Sequence, residues 1–232
     1  MRITWFGHSA FRVETGGSVV LIDPFLTGNQ TFTGTVDEAS AGATHVVLTH
    51  GHDDHIGDTI DILKKTGATL VANAEICTWM SSQKGIEKVS PGNHGGRQSF
   101  EDFDVAFVQA WHSSSFMGEG TPVYLGNPAG VVLIPKDGGR TLYHMGDTDI
   151  FSDMALINEI YRPKIGIVPV GDRFTMGGEL AAMACRKFFE FETVIPCHYG
   201  TFPIIDQTPD KFVEAMGGNT VFVPEPGKAF DA

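Results

Sequence analysis

The chain has 232 residues, 42% hydrophobic and 19% charged, enough to bury a substantial core in one large domain or two small ones. A formal net charge of -12 with no basic run argues against a nucleic-acid partner, because phosphate binding rests on clustered Lys and Arg. No apolar run has the roughly 18 residues of a membrane span or the core of a signal peptide, and Cys77, Cys185 and Cys197 lack disulfide spacing, so a cytoplasmic setting is expected.

The opening ITWFGHSAFRVET, Gly16-Gly17 and SVVLIDPF read as a β-hairpin of two half-buried strands. Residues 25–44, rich in Thr, Gly and Ser, read as a loop. THVVLTH is a buried strand, followed by the helix TIDILKKTG, the strand ATLVAN and the helix AEICTWMSSQKG. FDVAFVQAWH is a strand ending at His112, and residues 113–130 form a long loop. A second hairpin, GVVLIPKDGGRTLYHMGDT, turns at Asp137-Gly138-Gly139. The helix MALINEIY, strand KIGIVPVG, helix GELAAMACRKFFEF, strand TVIPCHYG, helix PDKFVEAMG and strand TVFVP complete the chain. Hairpins followed by strand–helix alternation in both halves predict sheets sandwiched between helices, and no linker divides residues 1–232, so one domain is expected.

Between the THVVLTH strand and the helix after it lies HGHDDH, residues 50–55. His50 and His52, two apart on extended chain, face one side and can grip one ion. The chain then turns, so Asp54 and His55 project from a helix start and can grip a second. Imidazole and carboxylate together suit zinc, with manganese or iron as alternatives because ligand type separates these ions poorly. Four ligands cannot complete two tetrahedral sites. His112, Asp147 and His198, each closing a predicted strand, offer the missing donors.

This order of motifs resembles the metallo-β-lactamase-fold hydrolases: Asp23-Pro24, HGHDDH, the strand-end His112, Gly146-Asp147-Thr148 and CHYGTF. The resemblance implies an α/β fold, the αββα four-layer sandwich, with a dinuclear site at one edge. It assigns His50, His52 and His112 to one metal and Asp54, His55 and His198 to the other, with Asp147 and a water or hydroxide bridging. Asp23 is expected to orient a ligand histidine. WFGHSAF, GDTDIF and GDRFTMG are similar, more narrowly, to small uncharacterised hydrolases related to the L-ascorbate-6-phosphate lactonases, and similar Gly-His openings occur in N-acylphosphatidylethanolamine phospholipases.

The expected chemistry is hydrolysis of a small ester, lactone or phosphodiester. Two cations lower the pKa of a shared water and polarise the scissile group, Asp54 also helps hold the nucleophile's proton, and no G-x-S-x-G offers a serine nucleophile. His8 is expected at the rim of the site, on the Phe6 side of the first strand. There it touches substrate or donates a proton to the leaving group without binding metal. Asp53 is read as solvated or behind the ligands, Asp58 as a helix-dipole partner, and His144 as core or behind the ligands. His45 and His94 are read as structural or exposed, and Cys197 as a buried inert thiol. Met176 and Phe174 line a substrate mouth or pack. Ser113 to Ser115, Tyr199 and Thr201 are candidate oxyanion donors.

Two rivals are a di-iron redox protein of the same fold and a regulatory binding protein without turnover. The first usually carries a carboxylate where His52 stands and needs an appended flavin module, for which the chain to Ala232 leaves no room. The second is disfavoured by the complete ligand set. The expected partner is a small molecule, and the sequence leaves a homo-oligomer open.

Overall fold

Period-two alternation along the strands sorts their side chains into two apolar layers. Val20 and Ile22 enter one cluster while Leu21, between them, enters another; Val47 and Val71 likewise face opposite to Val46, Leu48, Leu70 and Ala72. The computed structural model describes residues 1–118, 120–218 and 220–232, so one position of the 113–130 loop lies outside the described residues. The first half carries β1 (Arg2–Trp5), β2 (Phe11–Thr15), β3 (Ser18–Ile22), α1 (Val36–Ser40), β4 (His45–Val47), α2 (Asp53–Ile56), α3 (Thr59–Thr66), β5 (Thr69–Asn73), α4 (Ala74–Lys84) and β6 (Val89–Gly92). The second carries β7 (Arg97–Ser99), β8 (Phe103–Gln109), β9 (Ser115–Phe116), β10 (Val123–Tyr124), β11 (Ala129–Pro135) and β12 (Leu142–His144). After these come α5 (Met154–Tyr161), β13 (Ile165–Pro169), α6 (Gly178–Phe188), β14 (Thr193–Cys197), α7 (Asp210–Met216) and β15 (Ala229–Asp231).

One sheet runs β15-β1-β2-β3-β4-β5-β6, the other β14-β13-β12-β11-β8-β7. Their facing sides share a core in which Ile3, Phe11 and Ile22 meet Phe103, Val131 and Ile167. On the outside of the first sheet, Ile62 and Leu63 of α3 and Ile76 and Met80 of α4 cover Leu21, Val46 and Leu70. Ala181, Ala182 and Cys185 of α6 pack with the second sheet. The result is the αββα sandwich. β3, β4, β5 and β6 are mutually parallel, as are β12, β13 and β14, so their carboxyl ends lie together.

The opening differs from the expected two-strand hairpin. β1 ends at Trp5, and the chain turns through Gly7 (φ 98°) and His8 (φ 51°) before β2 begins. A Cβ on Gly7 would lie 2.6 Å from that of Thr31, so only glycine fits. Strand alternation therefore does not reach His8. The expected loop 25–44 contains α1, started by a Thr35–Glu38 capping box. Among the described residues the expected strand TVFVP makes only the Val194–Val221 bridge, and β9 pairs with β10 inside the expected 113–130 loop.

Candidate metal centre

Asp23 follows β3, His50 follows β4, and His112, Asp147 and His198 lie just past β8, β12 and β14. The two sheets thus deliver their donors to one edge. His52 caps α2 in extended conformation (φ -72°, ψ 152°), so Asp54 and His55 leave on the first helical turn in a new direction. Gly57 ends that turn at φ 41°, where a Cβ would meet Pro24 O at 2.6 Å.

Three overlapping groups of donors result among the described residues, one of them Asp23 with His50 and His55. His50, His52 and His112 place one ligand atom each within 4.8 Å of one another, and so do His8, Asp54, His55 and His198. His50 Nε2 and His52 Nδ1 converge at 3.0 Å. Asp147 lies among all of them: its Oδ1 is 3.4 Å from His55 Nε2, and its Oδ2 is 3.0 Å from His198 Nε2 and 3.6 Å from His112 Nε2.

Asp23 stands behind this array. Its Oδ1 accepts Thr49 N–H (2.8 Å), and its Oδ2 accepts the Thr49 hydroxyl (2.6 Å) and His55 Nδ1–H (2.7 Å). With Nδ1 so committed, His55 turns the Nε2 lone pair into the site. Among the described residues, His55 Nε2, Asp147 Oδ1 and His198 Nε2 are buried without a hydrogen-bond partner; the short His198–Asp147 approach is not aligned as one. A neutral imidazole and a carboxylate cannot face lone pair to lone pair in a buried site unless a proton or a cation lies between them. The residues present therefore fit a metal.

The electrostatics agree. Burial alone would lower the His55 pKa, but Asp147 and Asp23 outweigh it and raise it well above the usual imidazole value. Burial, reinforced by His55, holds His50 well below that value, and burial also lowers His52 and His112, leaving them in the neutral form that metals need. Burial would raise the Asp147 carboxyl, yet His198 and His55 hold it well below the carboxylate range.

His8 is not at the rim: it is 0% exposed. Its Nε2 lies 3.0 Å from Asp54 Oδ2 and its Nδ1 3.1 Å from Thr201 Oγ1. An ionised carboxylate only accepts, so Nε2 carries the proton that bonds Asp54, while Nδ1 lies against the Thr201 hydroxyl, which also donates to Tyr199 O at 3.2 Å. Burial and then His198 lower the His8 pKa to about 4, which keeps the ring neutral. Its carbonyl accepts His198 N–H (3.0 Å) and Trp5 Nε1–H (2.9 Å). Asp54 would be raised by its own burial, but His55 and His8 hold it well below the carboxylate range.

The remaining candidates separate. Asp53 points outward and accepts Met117 N–H at 3.1 Å. Asp58 caps α3 by position, but its carboxylate instead accepts the N–H groups of Leu26 and Thr27, both at 2.8 Å. His144 is buried behind the site and accepts Gly146 N–H. His45 packs edge-on against Phe100 and Phe103, and His94 reaches Pro128 O. Cys197 and Met176 are core residues, Tyr199 packs on Trp5, and Thr201 serves His8. Ser114 is buried and accepts Gly51 N–H, while Ser113 stands 3.3 Å from His52 Nε2.

A cavity of about 480 Å3 opens over the cluster. Its floor is His52, Asp54, His112, Asp147 and His198; Phe174, Phe202 and Ile204 form a wall, with Ser113 beside the floor. Phe202 and Ile204 escaped the sequence reading, although they lie in the loop that carries His198 out of β14. A larger groove of about 580 Å3, between α4 and residues 123–125, contains no histidine among its described lining residues.

A sequence profile described as a Beta-lactamase superfamily domain matches residues 2–198. The chain belongs to that superfamily. A relative from Chelativorans sp. (strain BNC1) named a UPF0173 metal-dependent hydrolase is 60% identical, covering 100% of both chains. Another of that name from Methylocella silvestris is 61% identical over 97% of each. Among solved structures, Igni18, a metallo hydrolase from Ignicoccus hospitalis KIN4/I, is 36% identical with a TM-score of 0.86 over 100% of this chain and 98% of its own. The protein is a metal-dependent hydrolase of the metallo-β-lactamase fold.

Proposed function

We propose that this hydrolase is dinuclear, binds zinc by preference, and cleaves a small ester, lactone or phosphodiester. The observation that carries the reading is the place of Asp147, whose two carboxylate oxygens face different histidines: Oδ1 faces His55, and Oδ2 faces His198 and His112. His50, His52 and His112 would hold one ion, Asp54, His55 and His198 the other, with Asp147 between them. Divalent ions held by these residues would activate water near neutral pH and polarise the scissile group. Asp54 lines the cavity floor and would also help hold the nucleophile's proton by accepting a hydrogen bond from it. His8 acts through Asp54: its Nε2–H fixes the carboxylate, so it is a positioning residue and not the leaving-group acid.

Among the described residues no helix is long and apolar enough to cross a membrane. Three buried free cysteines support a cytoplasmic setting. The test is a screen of lactones, carboxylic esters, phosphodiesters and phosphorylated sugars with metal-free and metal-reconstituted protein, run beside Asp54→Asn and Asp53→Asn. Metal-dependent turnover that Asp54→Asn abolishes and Asp53→Asn largely spares is expected. Equal losses from the two substitutions would contradict the assignment.

A further inference from the structure

The cavity wall carries information the metal ligands do not. Phe174 and Ile204 are large apolar side chains, 50% and 55% exposed, that converge with Phe202 above the donor cluster. Phe202 is fixed from behind by Phe25 (ring centroids 6.1 Å) and by the edge of His8 (5.4 Å). Phe174 is held out by a turn in which Asp172 and Arg173 both adopt left-handed backbone (φ 59° and 54°), closed by a bridge between Gly171 and Gly177. Such conformations are unfavourable for side-chain-bearing residues and persist where surrounding structure enforces them, typically at functional sites. An apolar wall beside a few convergent polar groups is the ordinary form of a small-molecule site.

The charges point the same way. No Lys or Arg is among the described residues lining the cavity. Arg173 lays its guanidinium over the Phe174 ring, 5.6 Å from the centroid, and Lys211 pairs with Asp206 at 3.1 Å. Asp23, Asp54 and Asp147 offset three of the four charges two divalent ions bring, so little positive charge remains for an anion. Two metals can themselves clamp a phosphoryl group, and phosphoryl sites commonly add Arg or Lys beside them; none is among the described residues lining this cavity.

Resting on the hydrolase reading above, we infer that the substrate is uncharged and lays an apolar group of a few carbons against Phe174, Phe202 and Ile204. It is a carboxylic ester or lactone, not a phosphodiester. In its hydrolysis, the oxygen of water joins the acyl carbon and the carbon–oxygen bond to the alkoxide breaks. One proton of water passes to that alkoxide, and the other leaves the new carboxylic acid.

The experiment measures, by calorimetry on zinc-loaded full chain, the affinity of straight-chain hydroxamates from acetyl to hexanoyl. Hydrolysis of 4-nitrophenyl acetate, 4-nitrophenyl hexanoate and bis(4-nitrophenyl) phosphate is followed in parallel. Affinity is expected to rise about 3- to 4-fold for each methylene buried on the wall. The hexanoyl-to-acetyl ratio should fall toward one in the Phe174→Ala/Ile204→Ala variant, whose exposed positions spare the fold. The hexanoyl ester should be cleaved fastest. A flat affinity series in the unaltered protein, or a ratio indifferent to the two substitutions, overturns the inference. So does a phosphodiester cleaved faster than either ester, though that result would leave the hydrolase reading standing. A rising series with none of the three compounds cleaved would support the apolar wall and count against the hydrolase reading.

Discussion

Removing the His8 ring takes away the donor that holds the half-buried Asp54 and the buried contact with the Thr201 hydroxyl. Partners behind a metal ligand typically cost about 10- to 100-fold in metal affinity or activity when lost. His8→Ala is therefore expected to lose that much in turnover or in affinity for the ion at Asp54. His8→Gln should lose less, because its amide can still donate to the carboxylate. Metal titration, kcat and KM for each variant check this, with thermal unfolding as the control for fold. An Ala variant with unaltered metal affinity and turnover would make His8 a packing residue. Much of the donor set was legible at this scale, because HGHDDH puts four donors on one strand-to-helix turn. The partners of His8 were not. Thr201 lies 193 residues away, and nothing local announces a left-handed backbone at His8.

Individual elements contribute according to what they bury. α3 places Ile62 and Leu63 in the core under the first sheet, whereas α1 buries only Ala39 and Ser40 and depends on its cap. Ile62→Ala is expected to destabilise by about 2–5 kcal/mol through a lost side chain and a residual cavity. Thr35→Ala, which removes the capping box, should cost about 1 kcal/mol. Urea unfolding of both variants checks the order, and a larger loss from the cap would contradict it. The same contrast explains which elements could be read from sequence. α3 is amphipathic at helical spacing and β8 is a continuous apolar run, while β6 contains Pro91 and Gly92 and β7 is the polar triplet Arg97–Ser99, strands only because a sheet edge recruits them. TVFVP has the composition of a strand. Phe222 and Val223 are nevertheless 42% and 44% exposed, and β propensity without a surface to pack on does not make a ladder.

For the whole molecule, the sandwich places the parallel strand ends of both sheets at one edge, so donors far apart in sequence meet there without a long loop to carry them. The same packing seals the thiols. Burial pushes Cys77 and Cys185 up to about 12 and holds Cys197 well above the usual thiol value, so none is a thiolate near neutral pH. A water-soluble thiol reagent at pH 8 should label none of the three in native protein and all three in denaturant. Fast labelling of native Cys197, which precedes His198, would mean that the strand end opens to solvent. Asp147 is proposed to hold two metal sites together at that edge. Elemental analysis of zinc-loaded protein tests it most directly: two ions per chain are expected, with at least one lost in Asp147→Ala, whereas a single tightly bound ion unchanged by Asp147→Ala would contradict it.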